Sequence, residues 1–168
     1  MKNIVLVGFM GTGKTAVGKA LADKLGMTFL DMDDVIVKRE GKSIPDIFAQ
    51  DGEPYFRDLE KSIAVELSEQ EDLVIATGGG IVLNQANIDA FSSTGLVACL
   101  SLAPETILER VESDSNRPLL EGGDKMAKIM GVLETRQHLY DAIPFQVDRN
   151  GLDIAATVDV IVAKYNEV

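Results

Sequence analysis

The stretch Gly8-Phe9-Met10-Gly11-Thr12-Gly13-Lys14-Thr15 constrains this chain more than any other. It has the form G-x-x-x-x-G-K-[ST], a loop whose backbone N–H groups wrap round a phosphate. Glycines at 8, 11 and 13 permit the dihedrals and the close approach that wrapping requires. The motif needs a strand before it and a helix after it, and the flanks offer both. Asn3–Val7 is a short apolar run rich in β-branched residues, and Ala16–Leu25 has helical spacing. That helix would point its positive N-terminal end at the same anion. Lys14 adds a cation for the β- and γ-phosphates, and the Thr15 hydroxyl can ligate Mg2+. The chain is therefore expected to bind a nucleotide.

Beyond this loop, strands and helices alternate. The spacing predicts strands at 3–7, 28–31, 73–76, 96–102 and 145–148. Helices are expected at 14–25, 32–40, 44–50, 54–70, 85–91, 104–112, 125–141 and 154–166. That order predicts a parallel sheet covered on both faces. Gly26 suits a helix end, Ser43 and Asp153 suit N-caps, and Pro54 and Pro104 suit first-turn positions. Ile154, Val158, Ile161, Val162 and Tyr165 form an apolar stripe on the last helix.

Length and composition set the remaining bounds. A chain of 168 residues with 46% hydrophobic content suits a single domain over 1–168 with one sizeable core. No apolar run is long enough for a membrane span, and Met1–Val7 reads as the first strand rather than a signal peptide. Cys99, inside an apolar run, is expected to pack in a reduced compartment, so the cytoplasm is the default location. A formal net charge of −11 argues against a nucleic-acid or membrane surface. An acidic protein that binds an anion must gather its few cations, which makes Arg39, Arg57, Arg110, Arg117, Arg136 and Arg149 informative.

Four segments carry candidate chemistry. Asp31 and Asp33 close the second strand, project to one side in extended chain, and should border the ligand crevice. One can hold Mg2+ and the other can accept a proton from a substrate hydroxyl, unless Asp33 or Asp34 caps the next helix instead. Arg57 and Glu60 are i,i+3 neighbours, so Glu60 can orient the guanidinium or form an ordinary surface ion pair. Gly78-Gly79-Gly80 ends a buried strand, so either a sharp turn forms there or another group approaches the backbone closely. No acid follows that strand, so the acids must come from Asp31 and Asp33. The polar segment 112–124 has the composition of a mobile lid bringing Arg117 to the transferring phosphate, or of a plain surface loop. Arg136 lies on the following helix, and the lone His138 reads as a surface residue rather than a ligand.

Taken together, the chain resembles the shikimate kinase family. The resemblance rests on Gly8–Thr15, Asp31-x-Asp33, Asp46-Ile-Phe48 with Gly52-Glu53, Phe56-Arg57-x-x-Glu60, Gly78–Gly80, Arg117-Pro118-Leu119 and Arg136. It implies a three-layer α/β P-loop fold of the nucleoside-monophosphate-kinase type, with a five-stranded parallel sheet. It also implies transfer of the ATP γ-phosphate to the 3-hydroxyl of shikimate, in aromatic amino acid biosynthesis. By that resemblance Asp33, Arg57, Gly79 and Arg136 bind shikimate, supported by Glu60, Gly78 and Gly80, within a substrate segment near 32–62. Gly11, Thr12, Gly13, Lys14, Thr15 and Ala16 hold the phosphates, Thr15 and Asp31 serve Mg2+, and Arg110 and Arg117 lie on the ATP side. Lys14, Asp33 and Arg117 form the catalytic set, in a protein expected to be monomeric. One departure concerns 148–154, where the family usually places a Pro and an Arg or polar residue beside the adenine. Here Gly151, Leu152 and Ile154 stand in that loop, with Arg149 earlier.

Other readings share the P-loop. A gluconate kinase of this fold typically pairs its second-strand acid with a nearby His, which 31–37 lacks. A nucleoside monophosphate kinase would carry more arginines for a second phosphate. A non-catalytic nucleotide-binding regulator would not need the full set of charged groups present here.

Overall fold

The computed structural model describes residues 2–112 and 124–168. Its centre is β1 (Asn3–Gly8), buried along its whole length. Around it stand β2 (Thr28–Asp31), β3 (Leu73–Ala76), β4 (Gly95–Ser101) and β5 (Phe145–Asp148), in the order β2-β3-β1-β4-β5. Every pairing is parallel: Val5 faces Ile75 on one side and Val97 on the other. The five-stranded parallel sheet is the one expected from the alternation.

Side chains alternate across the sheet and divide the core. Ile4, Leu6, Val74, Ala98, Leu100 and Val147 pack against α1 (Lys14–Leu25) and α8 (Ile154–Tyr165). Val5, Val7, Ile75, Val97 and Cys99 face the opposite layer. That layer is built from α2 (Met32–Glu40), α3 (Ile44–Asp51), α4 (Glu53–Ser68), α5 (Gln85–Thr94), α6 (Pro104–Val111) and α7 (Lys125–Asp141). Buried on both faces, the central strands read as continuous apolar runs, as parallel strands do. Gly18 lets α1 approach the sheet: a Cβ there would lie 2.5 Å from the Phe29 ring.

The helix boundaries follow local chemistry. Gly26 ends α1 in the left-handed region at φ 69. Ser43 and Asp153 each accept a hydrogen bond from the third residue of their helix, Asp46 and Ala156, and Pro54 and Pro104 occupy first turns. One element was absent from the sequence expectation, a single 3-10 turn at Ile81–Leu83. The stripe on α8 is narrower than its spacing suggested. Val158 and Ile161 are buried and Val162 and Tyr165 pack against the same cluster, whereas Ile154, the first residue of the helix, is 42% exposed. His138 is exposed and Cys99 buried, as expected. The segment 113–123, with the expected lid and Arg117, lies outside the described residues.

Candidate active site

In a parallel sheet of this kind the carboxyl ends of the strands border one crevice. Here they open into a cleft of about 550 Å³. Its lining takes Gly11, Gly13, Lys14, Thr15 and Ala16 from the phosphate loop and α1, and Asp31 and Asp33 from the β2–α2 junction. Arg57 and Glu60 come from α4, Gly78, Gly79 and Gly80 from the end of β3, Arg110 from α6 and Arg136 from α7. Thr12 is not in that lining. It is 1% exposed, and its hydroxyl donates to the Phe9 carbonyl at 2.8 Å.

The loop owes its shape to its glycines. Gly8, Gly11 and Gly13 have φ of 146, 79 and 91, a region other residues rarely enter. The Lys14 ammonium donates to the carbonyls of Gly8 at 2.7 Å and Phe9 at 3.0 Å, and Arg110 Nη1 donates to Gly11 O at 3.3 Å.

Asp31 ties the loop to the second strand. Its Oδ2 accepts from the Thr15 hydroxyl at 3.1 Å, and its Oδ1 accepts from the Asp33 backbone N–H at 2.9 Å. The N-cap of α2 is thus Asp31, not Asp33 or Asp34. The Thr15 hydroxyl and the Asp31 carboxylate together are a hard-oxygen pair of the kind Mg2+ prefers. Among the described residues no group of three or more His, Cys, Asp and Glu could hold a metal alone. The pair fits an ion that takes its remaining oxygens from phosphate and water.

The glycines at 78–80 are glycine for another reason. None has positive φ. A Cβ on Gly80 would lie 2.3 Å from Arg57 Nη1, and one on Gly78 would lie 3.2 Å from both Asp33 Oδ1 and Glu60 Oε2. At Gly79 it would lie 3.6 Å from both Arg136 Nη1 and the backbone N of Met10. Close approach, not backbone conformation, disfavours a side chain at Gly80 and crowds one at Gly78, whereas Gly79 has ordinary contact distances.

Arg57 Nη1 donates to Glu60 Oε1 at 2.7 Å, with the Glu60 side chain only 2% exposed. Burial raises the Glu60 pKa; the adjacent Arg57 opposes the shift and Asp33 reinforces it. The pair is therefore not the ordinary surface bridge its sequence spacing also allowed. The Arg57 guanidinium lies 5.3 Å from the Phe56 ring centroid, and its buried Nε makes no hydrogen bond.

One residue of this neighbourhood escaped the sequence reading, and another was named there without a role. Tyr140 lies one helical turn after Arg136 and donates its hydroxyl to the Gly79 carbonyl. Burial pushes that phenol up to about 12, so it remains a donor. The i,i+4 spacing from Arg136 was the available signal. Arg149, 3% exposed, donates through Nη1 to the Thr12 carbonyl at 2.8 Å. Its signal was its place at the carboxyl end of a strand. Of the described arginines only Arg39 is remote, paired with Glu66 on the surface. The acidic chain does gather its cations.

A glycine-built phosphate loop and the arginines of α4, α6 and α7 on one cleft of a five-stranded parallel sheet are the features of a P-loop small-molecule kinase. The family model for shikimate kinase matches residues 10–166, and the chain belongs to the shikimate kinase family. The shikimate kinase of Thermodesulfovibrio yellowstonii is 41% identical over 168 residues, covering 100% of this chain and 97% of its own. A solved shikimate kinase from Acinetobacter baumannii, in complex with shikimate, has a TM-score of 0.88 at 36% identity, covering 98% of this chain and 90% of that one. A gluconokinase from Sinorhizobium meliloti reaches a TM-score of 0.62 at 18% identity over 99% of this chain and 92% of that one, a likeness of fold alone.

Proposed function

We propose that this protein transfers the γ-phosphate of ATP to the 3-hydroxyl of shikimate. The observation that carries the reading is Gly79, against which the phosphate loop and the Arg136 guanidinium both pack. Nucleotide and acceptor groups therefore meet at one point of the cleft, as an in-line transfer requires. Family membership supports shikimate as the acceptor over gluconate.

Each half of the cleft has its own task in this reading. Gly11, Gly13, Lys14 and Ala16 hold the phosphates, with Arg110 on the nucleotide side. Bound between Thr15, Asp31 and the phosphates, Mg2+ would neutralise charge on the transferring group. Arg57 and Arg136 take the shikimate carboxylate by charge-assisted pairs. Glu60 keeps Arg57 aimed, and Asp33, beside Gly78, holds the acceptor hydroxyl towards the phosphate. Tyr140 fixes the Gly79 peptide. Arg117 keeps the role its family resemblance implies, charge neutralisation at the transferring phosphate. In this reading the enzyme is a cytoplasmic monomer, as expected from the family resemblance and the reduced Cys99.

The test is ADP release from Mg-ATP with shikimate, quinate, gluconate and AMP. Rapid release with shikimate alone is expected. Equal turnover with gluconate or AMP would contradict the reading, and ATP binding without turnover would favour a regulator.

A further inference from the structure

Arg149 follows β5 directly, and its backbone N–H donates to Ser101 O at 2.8 Å, so the position is fixed by the sheet. Its side chain runs behind the phosphate loop. Nη1 holds the Thr12 carbonyl at 2.8 Å, and Nε donates to the Thr157 hydroxyl at 3.1 Å. That hydroxyl in turn donates to Asp153 O at 2.7 Å, so the guanidinium is clamped between α8 and the loop. The fit at the loop is close: a Cβ on Gly13 would lie 2.2 Å from Nη1. Gly13 is the left-handed cap of α1, and any side chain there would have to displace this guanidinium.

Two features point beyond a structural brace. A trans peptide is planar, so its C=O and N–H point in opposite directions. Holding the Thr12 carbonyl outward therefore aims the Gly13 N–H into the cleft, where a phosphate would be wrapped. The second feature is the charge. No ion pair holds Arg149 among the described residues, and burial together with nearby Arg110 outweighs the support that the Asp153 carboxylate gives its protonated form. A neutral amide could bind one carbonyl without burying a cation. A cation in that place is accounted for by an anion on the other side of the loop.

Resting on the phosphoryl-transfer reading above, we propose that Arg149 is a positioning residue for the nucleotide, a fixed cation behind the loop. It holds the Thr12–Gly13 peptide in its phosphate-binding orientation and adds positive potential under the ADP moiety of ATP. It touches neither shikimate nor the transferred group, so its influence falls on nucleotide affinity.

The experiment compares Arg149→Met, Arg149→Gln and Arg149→Lys with the wild type. ADP affinity is measured by calorimetry at two salt concentrations, alongside KM for ATP, KM for shikimate and Tm. Arg149→Met should weaken ADP about tenfold or more and flatten the salt dependence, while KM for shikimate moves less than about twofold. Lysine, which keeps the charge, should bind ADP more tightly than glutamine, which keeps only a donor. Equal ADP affinity in the lysine and glutamine variants would overturn the electrostatic role, even if the methionine variant does not fold. So would a parallel loss of ADP and shikimate affinity, the mark of general loosening. An inactive wild type would sink the shikimate assignment, while the ADP comparison would still decide on Arg149.

Discussion

The glycines of the phosphate loop and those at 78–80 line one cleft but answer different demands. Gly11 and Gly13 adopt left-handed backbone that a side chain would strain. Gly78 and Gly80 have ordinary backbone and are kept bare because Asp33, Glu60 and Arg57 press against them. The charges differ in the same way. On one side Arg57 is matched by the buried Glu60 carboxylate, whereas behind the phosphate loop the Arg149 guanidinium donates, among the described residues, to a carbonyl and a hydroxyl. In the proposed reading, one half is a positively biased cradle for a polyanion and the other a charge-balanced pocket for a small acid bearing hydroxyls.

Substitutions should separate the two halves. The largest effect is expected from Lys14→Ala, which should lower kcat and kcat/KM together by about a thousandfold, since its cation stabilises charge in the transition state. A change confined to the ATP KM would assign Lys14 to binding alone. Arg136→Ala should instead weaken shikimate binding by at least about 2 kcal/mol, roughly thirtyfold, with ADP affinity unchanged by calorimetry. Loss of ADP affinity there would erase the division. Gly80→Ala should displace the Arg57 guanidinium and raise KM for shikimate about tenfold, an effect like the loss of one charge-assisted hydrogen bond, with little effect on ATP. Gly11→Ala, by contrast, should act on nucleotide affinity. The smallest effect concerns the base. Half-buried Leu152 and exposed Ile154 offer no side-chain hydrogen bond, so kcat/KM should favour ATP over GTP by only about tenfold or less. A thousandfold preference would mean that backbone groups in 148–154 read the base strictly.

What the sequence disclosed was local. Glycine at 8, 11 and 13 announces positive φ, and Gly26, Ser43 and Asp153 announce helix ends, because each effect lies within a few residues of its cause. The i and i+2 spacing placed Asp31 and Asp33 at one cleft, but it could not tell which would cap α2. That depended on Asp31 turning to meet Thr15 from another element. The same holds for the glycine run, whose bareness is explained only once α4 delivers Arg57 onto it. Arg149 was the least legible. The expected strand end marks its position, but its burial exists because β5 pairs with β4 and α8 closes over the loop, which residues near 149 do not announce.

The most direct test of the central claim is the identity of the product. Incubated with Mg-ATP and shikimate, the protein should yield ADP and, in equal amount, a shikimate monophosphate whose phosphorus resonance couples to the proton on carbon 3. ADP accompanied by free phosphate, or a phosphate on another hydroxyl, would contradict the placement of the acceptor between Asp33, Arg57 and Arg136.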